Sequence, residues 1–231
     1  NIVAWADYPT FDANHFAATD GRLFTGPAVS SLYEPGSLMK VPTLSGGIDD
    51  GAITPAYTFN ETGAVNVGGY TIRDWDLKAH GNITMTRVLE ESYNVGAVKV
   101  QQLEGGASFY KYLNLFGIGR KTGIDVGNEV AQSLPPLSSL YPSQLATMSF
   151  GQGVAVTPIE MISALNTVAN GGRYVRPRAV TERIRSDGSV AALPLDPGAQ
   201  VISAVTAQNM RDMMVSVVEH GSGSTAKIDG W

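Results

Sequence analysis

One segment of the sequence reads Tyr33-Glu34-Pro35-Gly36-Ser37-Leu38-Met39-Lys40, and it brings together a turn, a helix start, a hydroxyl and an amine. Pro35-Gly36 is typical of a turn and the next residues favour a helix, so Ser37 is predicted at or near a helix N-terminus. Residues at i and i+3 share a helix face, which brings Lys40 beneath the Ser37 hydroxyl. A serine is activated when a neighbouring neutral amine accepts its proton. Because the ordinary pKa of lysine is about 10.4, bringing it toward neutrality costs about 4 kcal/mol and requires a closed, partly dry site.

The Ser-x-x-Lys spacing occurs three times in the chain, so spacing alone identifies no site. Ser108–Lys111 lies in a stretch with helical periodicity, and both residues are interpreted as surface positions of a packed helix. Ser224–Lys227 follows Gly221-Ser222-Gly223, a loop composition without a preformed helix N-terminus. Ser37–Lys40 alone combines a turn, a helix start and an apolar continuation. The simpler alternative for this pair is an N-capping serine followed by a solvent-exposed lysine.

Composition excludes several classes of protein. The 231 residues are 43% hydrophobic, enough for one large domain or two small ones with a substantial core. The net charge is −5 and no basic run occurs, which argues against a nucleic-acid partner. The absence of cysteine removes disulfides and thiolate nucleophiles, and the three histidines have no ligand-like spacing, so neither a metal nor another cofactor is expected. No run of about 18 apolar residues is present, so any membrane anchor is expected outside this chain.

Local patterns predict a mixture of short strands and helices. The apolar helix after Ser37 is expected to be interrupted by Pro42. The other predicted elements are an opening strand at Asn1-Ile2-Val3-Ala4-Trp5-Ala6, small strands and loops over 46–81, helices over 84–91, 97–103, 107–116 and 144–150, a helix from an N-capping Thr157 to Asn170, strands over 173–190 that turn at Ser186-Asp187-Gly188, and a helix over 206–220 with Thr206 as its N-cap.

A second candidate constellation is Ser92-Tyr93-Asn94, the only Ser-x-Asn in the chain. It lies between two predicted helices, and a short break of this kind can direct a hydroxyl and an amide into one cleft. The alternative is an ordinary helix-to-helix corner in which Asn94 is a C-cap.

Five short motifs follow one another along nearly the whole chain. They are Tyr33 to Lys40, Ser92-Tyr93-Asn94-Val95-Gly96, Phe116-Gly117-Ile118-Gly119 with Thr122-Gly123-Ile124-Asp125, Ser149-Phe150-Gly151-Gln152-Gly153 with Thr157-Pro158, and Ala169-Asn170-Gly171-Gly172. In this order they resemble the transpeptidase domain of penicillin-binding proteins. The first and fourth are more similar to the monofunctional class B enzymes of the cell-division type than to the bifunctional class A enzymes.

The resemblance implies an α+β fold, in which an antiparallel sheet is flanked by helices beside a mostly helical lobe, as in serine β-lactamases. It also implies acyl transfer in the cleft between them. Ser37 is expected to attack the carbonyl of a terminal D-Ala-D-Ala bond, with Lys40 as the base. Ser92 is expected to relay the proton to the leaving amine, and Asn94 to hold the substrate amide and help order Lys40. The helix N-terminus suits negative charge on the carbonyl oxygen.

The expected partners follow from the same resemblance. They are peptidoglycan stem peptides, β-lactam antibiotics as covalent inhibitors that acylate Ser37, a membrane glycan polymerase, and division or elongation proteins. The expected location is the extracytoplasmic side of the bacterial cell membrane. Two alternatives remain on this fold, a β-lactam sensor or serine β-lactamase, and a non-catalytic scaffold domain.

One family motif is out of place. Lys121-Thr122-Gly123 has the letters of the third motif but lies before Phe150-Gly151-Gln152-Gly153, so it is interpreted as a coincidence. The segment from Gly221 to Trp231 resembles the lead-in to the true motif. We therefore expect residues 1–231 to form one transpeptidase domain that is incomplete at both ends and lacks its C-terminal strands. Because loss of one oxyanion donor typically costs about 2.7 to 4 kcal/mol, the chain alone is expected to be inactive or impaired.

Overall fold

The structure, a computed structural model, describes residues 2–229 and has the α+β composition that the sequence predicts. In this range the α-helices are α1 (Pro27–Ser30), α2 (Lys40–Asp49), α3 (Met85–Glu90), α4 (Asn94–Glu104), α5 (Gly106–Leu115), α6 (Pro142–Met148), α7 (Pro158–Ala169) and α8 (Ala204–His220). The strands are β1 (Thr58–Glu61), β2 (Ala64–Val67), β3 (Tyr70–Arg73), β4 (Gly81–Thr84), β5 (Arg173–Tyr174), β6 (Glu182–Ile184), β7 (Val190–Ala192) and β8 (Ala199–Gln200).

The strands of residues 2–229 pair only in twos, and every pair is antiparallel. The pairs are β1 with β4, β2 with β3, β5 with β8, and β6 with β7. The predicted turn at 186–188 connects β6 to β7, where Asp187 accepts the Ser189 N–H at 2.9 Å and Gly188 has a φ of 81°. The α+β class is confirmed. Within residues 2–229 the strands form four separate two-stranded antiparallel pairs.

The predicted opening strand is wrong for the residues that the structure describes. Residues 2–6 have no strand assignment, and Asn1 lies outside the described range. Ile2 donates its N–H to the carbonyl of Arg178 at 3.2 Å. A β-strand is defined by a ladder of backbone hydrogen bonds to a neighbouring strand. Residues 2–6 form no such ladder within residues 2–229.

Helix caps explain where two later helices begin. At α7 the Thr157 hydroxyl accepts the Glu160 N–H at 3.3 Å and the Glu160 carboxylate accepts the Thr157 N–H at 3.4 Å, which confirms the predicted N-cap. At α8 the predicted N-cap Thr206 is wrong. Ser203 caps this helix by accepting the Thr206 N–H at 3.1 Å, while the Thr206 hydroxyl donates to Asp49 at 2.9 Å. The Thr206 hydroxyl, which sequence alone assigned to the cap, therefore forms a long-range hydrogen bond with Asp49 instead.

The helix after Ser37 also differs from expectation. A 3-10 turn over Gly36–Met39 leads directly into α2, and Pro42 lies in the first turn of that helix without interrupting it. Proline is tolerated in a first turn because N–H groups there have few intrahelical partners. Helix α4 begins at Asn94, three residues earlier than predicted.

The main core surrounds α2 and fixes its position. Helix α2 packs against α4, α5 and α8, and its Leu44 is fully buried with side chains from each of the neighbouring helices. Other members of this core are Met85, Phe109, Phe116, Met161 and Met210. Burial of each such side chain contributes about 1.5–3 kcal/mol, so the helix that begins at Lys40 is held rigidly.

None of the helices in residues 2–229 is both long and apolar enough to cross a lipid bilayer.

Candidate active site

Three polar side chains that are far apart in sequence meet where the 3-10 turn passes into α2. The Lys40 Nζ donates to the Ser37 Oγ at 3.1 Å and to the Ser92 Oγ at 3.0 Å. It also donates to the Ser92 carbonyl oxygen. The Ser92 Oγ donates to the Ser37 Oγ at 2.8 Å, so the amine and the two hydroxyls form a closed triangle. The turn brings Ser37 and Lys40 together as predicted from their spacing, and the tertiary fold adds Ser92.

Lys40 is almost completely buried, with 1% of its surface exposed. Burial lowers its pKa from 10.5 to about 8, and the negative charge of Asp74 partly opposes this effect. A buried ammonium loses its hydration, which is why the neutral amine gains population. A solvent-exposed Lys40, the simpler alternative from the sequence, is therefore wrong.

Ser92 occupies an unusual backbone conformation between α3 and α4. Its φ is 60°, in the left-handed region that costs a non-glycine residue about 1 kcal/mol or more. Lys40 binds both its carbonyl and its hydroxyl, which compensates for this cost. The alternative interpretation of Asn94 as a C-cap is wrong, because Tyr93 is the N-cap of α4 and Asn94 its first residue.

Asn94 lines a cleft whose lining residues do not include Ser37, Lys40 or Ser92. Its Nδ2 donates to the Arg73 carbonyl at 3.1 Å, whereas the hydrogen bonds of Lys40 go to Ser37 and Ser92. None of these hydrogen bonds joins Asn94 to Lys40. The expected ordering of Lys40 by Asn94 is therefore not supported by a direct contact. The cleft has a volume of about 770 Å³ and runs between β3 and α6. Its lining includes Tyr70, Arg73, Tyr141, Gln144, Phe150 and Gln152.

The turn that carries Ser37 rests on the loop after α6. Gly36 donates its N–H to the Gly151 carbonyl at 3.2 Å, and the Glu34 carboxylate accepts the Gly153 N–H at 2.8 Å. Gly151 has a φ of 81°, and a Cβ at this position would lie 2.2 Å from the Gly36 carbonyl oxygen. Glycine is therefore required at 151, and the first and fourth motifs support each other through their backbones.

The remaining sequence candidates lie in other surroundings. In Lys121-Thr122-Gly123 the Thr122 N–H and hydroxyl each donate to Glu129 at 2.6 Å, and Gly123 donates to the same carboxylate at 3.0 Å. This segment therefore folds around a buried carboxylate. Lys111 is exposed, but the Ser108 hydroxyl is buried, so the surface interpretation is wrong for the serine. Ser224–Lys227 lies exposed in a 3-10 turn and its flank.

Two buried acids behind the site were not found by sequence analysis. Asp74 is 1% exposed and accepts the Val95 N–H at 3.0 Å, next to the first residue of α4. Glu61 is fully buried and accepts the His80 N–H at 3.0 Å. The only local feature of the sequence at Asp74 is that an acidic residue directly follows the strand that ends at Arg73. Its hydrogen-bond partner, Val95, lies 21 residues further along the chain.

The helical core and the antiparallel strand pairs form an α+β domain that carries a Ser-Lys-Ser triangle, and comparison with known proteins identifies the class of this domain. The family model described as the penicillin binding protein transpeptidase domain matches residues 1–231. The chain belongs to this family, and its relatives are class B penicillin-binding proteins.

Relatives and solved structures agree with this assignment. Penicillin-binding protein PbpB of Mycobacterium tuberculosis is 34% identical over 241 residues, covering 100% of this chain and 35% of the relative. Stage V sporulation protein D of Bacillus subtilis is 33% identical over 234 residues, covering 100% of this chain and 36% of the relative. The chain thus spans about a third of these proteins. A crystal structure of penicillin binding protein 3 of Mycobacterium tuberculosis with aztreonam is similar with 34% identity and a TM-score of 0.83, over 88% of this chain and 47% of that one.

Proposed function

We propose that this domain is a serine D,D-transpeptidase that cross-links peptidoglycan stem peptides through an acyl-enzyme at Ser37. One observation carries the proposal. The Ser37 hydroxyl lies within hydrogen-bond distance of a buried Lys40 with a lowered pKa and of a second hydroxyl, that of Ser92. In this proposal the three groups are the nucleophile, the base and the proton relay, and their mutual contact is the geometry that nucleophilic catalysis requires.

In the first half of the reaction, the Ser37 Oγ attacks the carbonyl carbon of a terminal D-Ala-D-Ala peptide bond. Neutral Lys40 accepts the hydroxyl proton, and the carbonyl electrons move to oxygen. When the tetrahedral intermediate collapses, the C–N bond breaks and the departing amine of D-alanine takes a proton that reaches it from Lys40 through the Ser92 hydroxyl. An ester between Ser37 and the stem peptide remains.

In the second half, the amine of a neighbouring stem peptide attacks this ester. The amine loses a proton to the Ser92–Lys40 pair, the ester C–O bond breaks, and the Ser37 oxygen takes a proton back. A new peptide bond joins the two stems, and the side chains return to their initial protonation states.

Substrate placement follows from the position of Asn94. Its Nδ2 is bound to the Arg73 carbonyl, which leaves its Oδ1 to accept an N–H of the stem peptide. The peptide then lies in the cleft between β3 and α6, where Tyr70 and Tyr141 offer exposed aromatic surface. The backbone N–H of Ser37, at the start of a 3-10 turn, is suited to donate to the developing oxyanion.

A similar protein was solved in complex with aztreonam, which supports β-lactams as inhibitors of this domain, and we propose that they acylate Ser37. Because stem peptides are joined outside the cytoplasm, the domain is assigned to the outer face of the bacterial cell membrane. A membrane glycan polymerase and division or elongation proteins are the corresponding partners, since cross-linking must accompany synthesis of the glycan strand.

The test is intact-mass analysis after incubation with benzylpenicillin. The full-length gene product, rather than residues 1–231 alone, is expected to gain the mass of one inhibitor, and its Ser37→Ala variant to gain none. Ser224→Ala is the matched control, because it removes a serine with the same spacing to a lysine in an exposed segment. An adduct that persists in Ser37→Ala contradicts the assignment of the nucleophile.

The lifetime of the adduct tests the β-lactamase alternative. Within residues 2–229, the Ser37 hydroxyl forms its side-chain hydrogen bonds with Lys40 and Ser92 and with no carboxylate, so we propose no carboxylate base for a deacylating water. The adduct is therefore expected to persist for hours, and its hydrolysis within minutes favours a β-lactamase.

A further inference from the structure

A buried acidic pair lies directly behind the Ser92-Tyr93-Asn94 segment. Asp74 follows β3 and Glu61 ends β1, and both carboxyl groups are buried. The two acids differ in their hydrogen bonds. Glu61 accepts the backbone N–H groups of Gly63 and His80, whereas Asp74 accepts the Val95 N–H through Oδ1 only. The other oxygen of Asp74, Oδ2, is buried without a hydrogen-bond partner.

The Val95 bond connects Asp74 to the active site mechanically. Val95 is the second residue of α4, so its N–H is one of the orphan donors at the helix N-terminus. No side chain from the adjoining turn caps this helix, and a carboxylate from another part of the chain takes that role. Ser92 and Asn94 lie within three residues of this anchor, and Ser92 is held in a left-handed conformation that requires external support.

The same carboxylate acts on Lys40 through its charge. Several titratable or charged groups face Asp74 from the packed elements: Glu61 from β1, Lys40 from α2, and Tyr93 from the N-cap of α4. Behind Tyr93, His80 stacks on its ring at 4.2 Å and pairs with Asp76 at 3.1 Å. Burial first, and then the neighbouring carboxyl of Glu61, raise the pKa of Asp74 to about 6. Asp74 is therefore ionised at neutral pH, and its negative charge favours the protonated form of Lys40.

We propose that Asp74 is a positioning residue of the active site, which anchors the backbone carrying Ser92 and Asn94 and, through its charge, sets the proton affinity of Lys40. When Asp74 binds a proton, Oδ2 is the free position, and the hydroxyl formed there donates to the Glu61 carboxylate. The orphaned oxygen of Asp74 is then satisfied. The proposal rests on the Ser37–Lys40 chemistry described above.

The anchor and the charge can be separated by two substitutions. Asp74→Asn keeps an oxygen that accepts the Val95 N–H and gives an amide that donates to Glu61, but removes the charge. Asp74→Ala removes both. The readout is the second-order rate of acylation by benzylpenicillin from pH 5.5 to 9.5, which gives a plateau rate and a pH midpoint, with circular dichroism as the check of folding.

The expected results differ for the two variants. Asp74→Ala loses about 100-fold in plateau rate, the size of effect that a misplacement of about 1 Å produces. Asp74→Asn keeps most of the parent's plateau rate. Its pH midpoint moves to a lower pH, because a nearby anion no longer stabilises the protonated form of Lys40. Asp125→Asn is the matched control, since Asp125 also accepts backbone N–H groups, at 2.7 and 3.0 Å, but binds residues 179 and 180. Its plateau and midpoint are expected to stay at the parent values.

Three results overturn the proposal. They are a parent-like plateau in Asp74→Ala, a loss in Asp74→Asn as large as in Asp74→Ala, and a midpoint in Asp74→Asn equal to that of the parent. If Asp74→Ala does not fold, the plateau and midpoint of Asp74→Asn still decide the question. An adduct in Ser37→Ala refutes the proposed function instead, so the two failures are distinguishable.

Discussion

The pH dependence of acylation provides a direct measure of the state of Lys40. A lysine with a pKa of about 8 is neutral in roughly one molecule in ten at pH 7, whereas one with a pKa of 10.5 is neutral in roughly one in 3,000. Burial therefore increases the population of the reactive form about 300-fold at pH 7, which corresponds to about 3 kcal/mol. The structural cause is the 1% exposure of this side chain.

The expected profile rises about tenfold per pH unit at low pH and becomes level above about pH 8. It is measured as the second-order rate of acylation by benzylpenicillin, in stopped-flow or quenched intact-mass experiments at constant ionic strength. Lys40→Arg keeps the positive charge but cannot supply a neutral amine, so its rate is expected to fall below detection. Lys111→Arg is the control, because Lys111 is the exposed lysine of a second Ser-x-x-Lys.

A profile that is flat from pH 6 to 9, or one whose midpoint lies near 10.5, refutes this reasoning. The first result shows that no group with the properties of Lys40 limits the rate. The second shows that burial does not shift the lysine. Substantial activity of Lys40→Arg leads to the same conclusion as the first.

Three further predictions concern stability, measured by urea unfolding. Burial first, and then the charge of Asp50, raise the pKa of Glu104 from 4.5 to about 8, so the free energy of unfolding decreases as pH rises through this interval, by about 5 kcal/mol at 1.36 kcal/mol per pH unit. Glu104→Gln is expected to lack this decrease, and parallel pH curves for the two proteins contradict the assignment. Gly151→Ala is expected to cost at least about 2 kcal/mol and to slow acylation, because its Cβ meets the Ser37 turn, whereas Gly127→Ala, with open space around it, stays within about 0.5 kcal/mol. Phe116→Ala removes a fully buried ring and is expected to cost about 3–5 kcal/mol, and a loss below 1 kcal/mol shows that this ring is not part of the core.

Sequence analysis predicts best the features that depend on neighbouring residues. The contact between Ser37 and Lys40 follows from one helical turn, and the cap of α7 follows from Thr157-Pro158-Ile159-Glu160. The hairpin turn at 186–188 is similarly determined by its own residues. In each of these cases the interacting groups are no more than four residues apart.

Features that depend on distant partners could not be predicted in this way. Thr206 has the side chain of an N-cap, but its hydroxyl binds Asp49, 157 residues away. Ser92 reaches Ser37 over a separation of 55 residues, and only the order of motifs along the chain associated the two. Asp74 belongs to no motif that we recognised, because its importance depends on burial and on an N–H that sequence cannot locate.

The hairpin of β6 and β7 offers a practical opportunity. Every residue of β6 is exposed, and this hairpin contributes no residue to the three hydrophobic clusters of the described chain. Exposed loop tips of this kind accept insertions with little loss of stability. A peptide epitope or a fluorophore placed after Asp187 should therefore report on the protein in living cells while the acylation chemistry proceeds undisturbed.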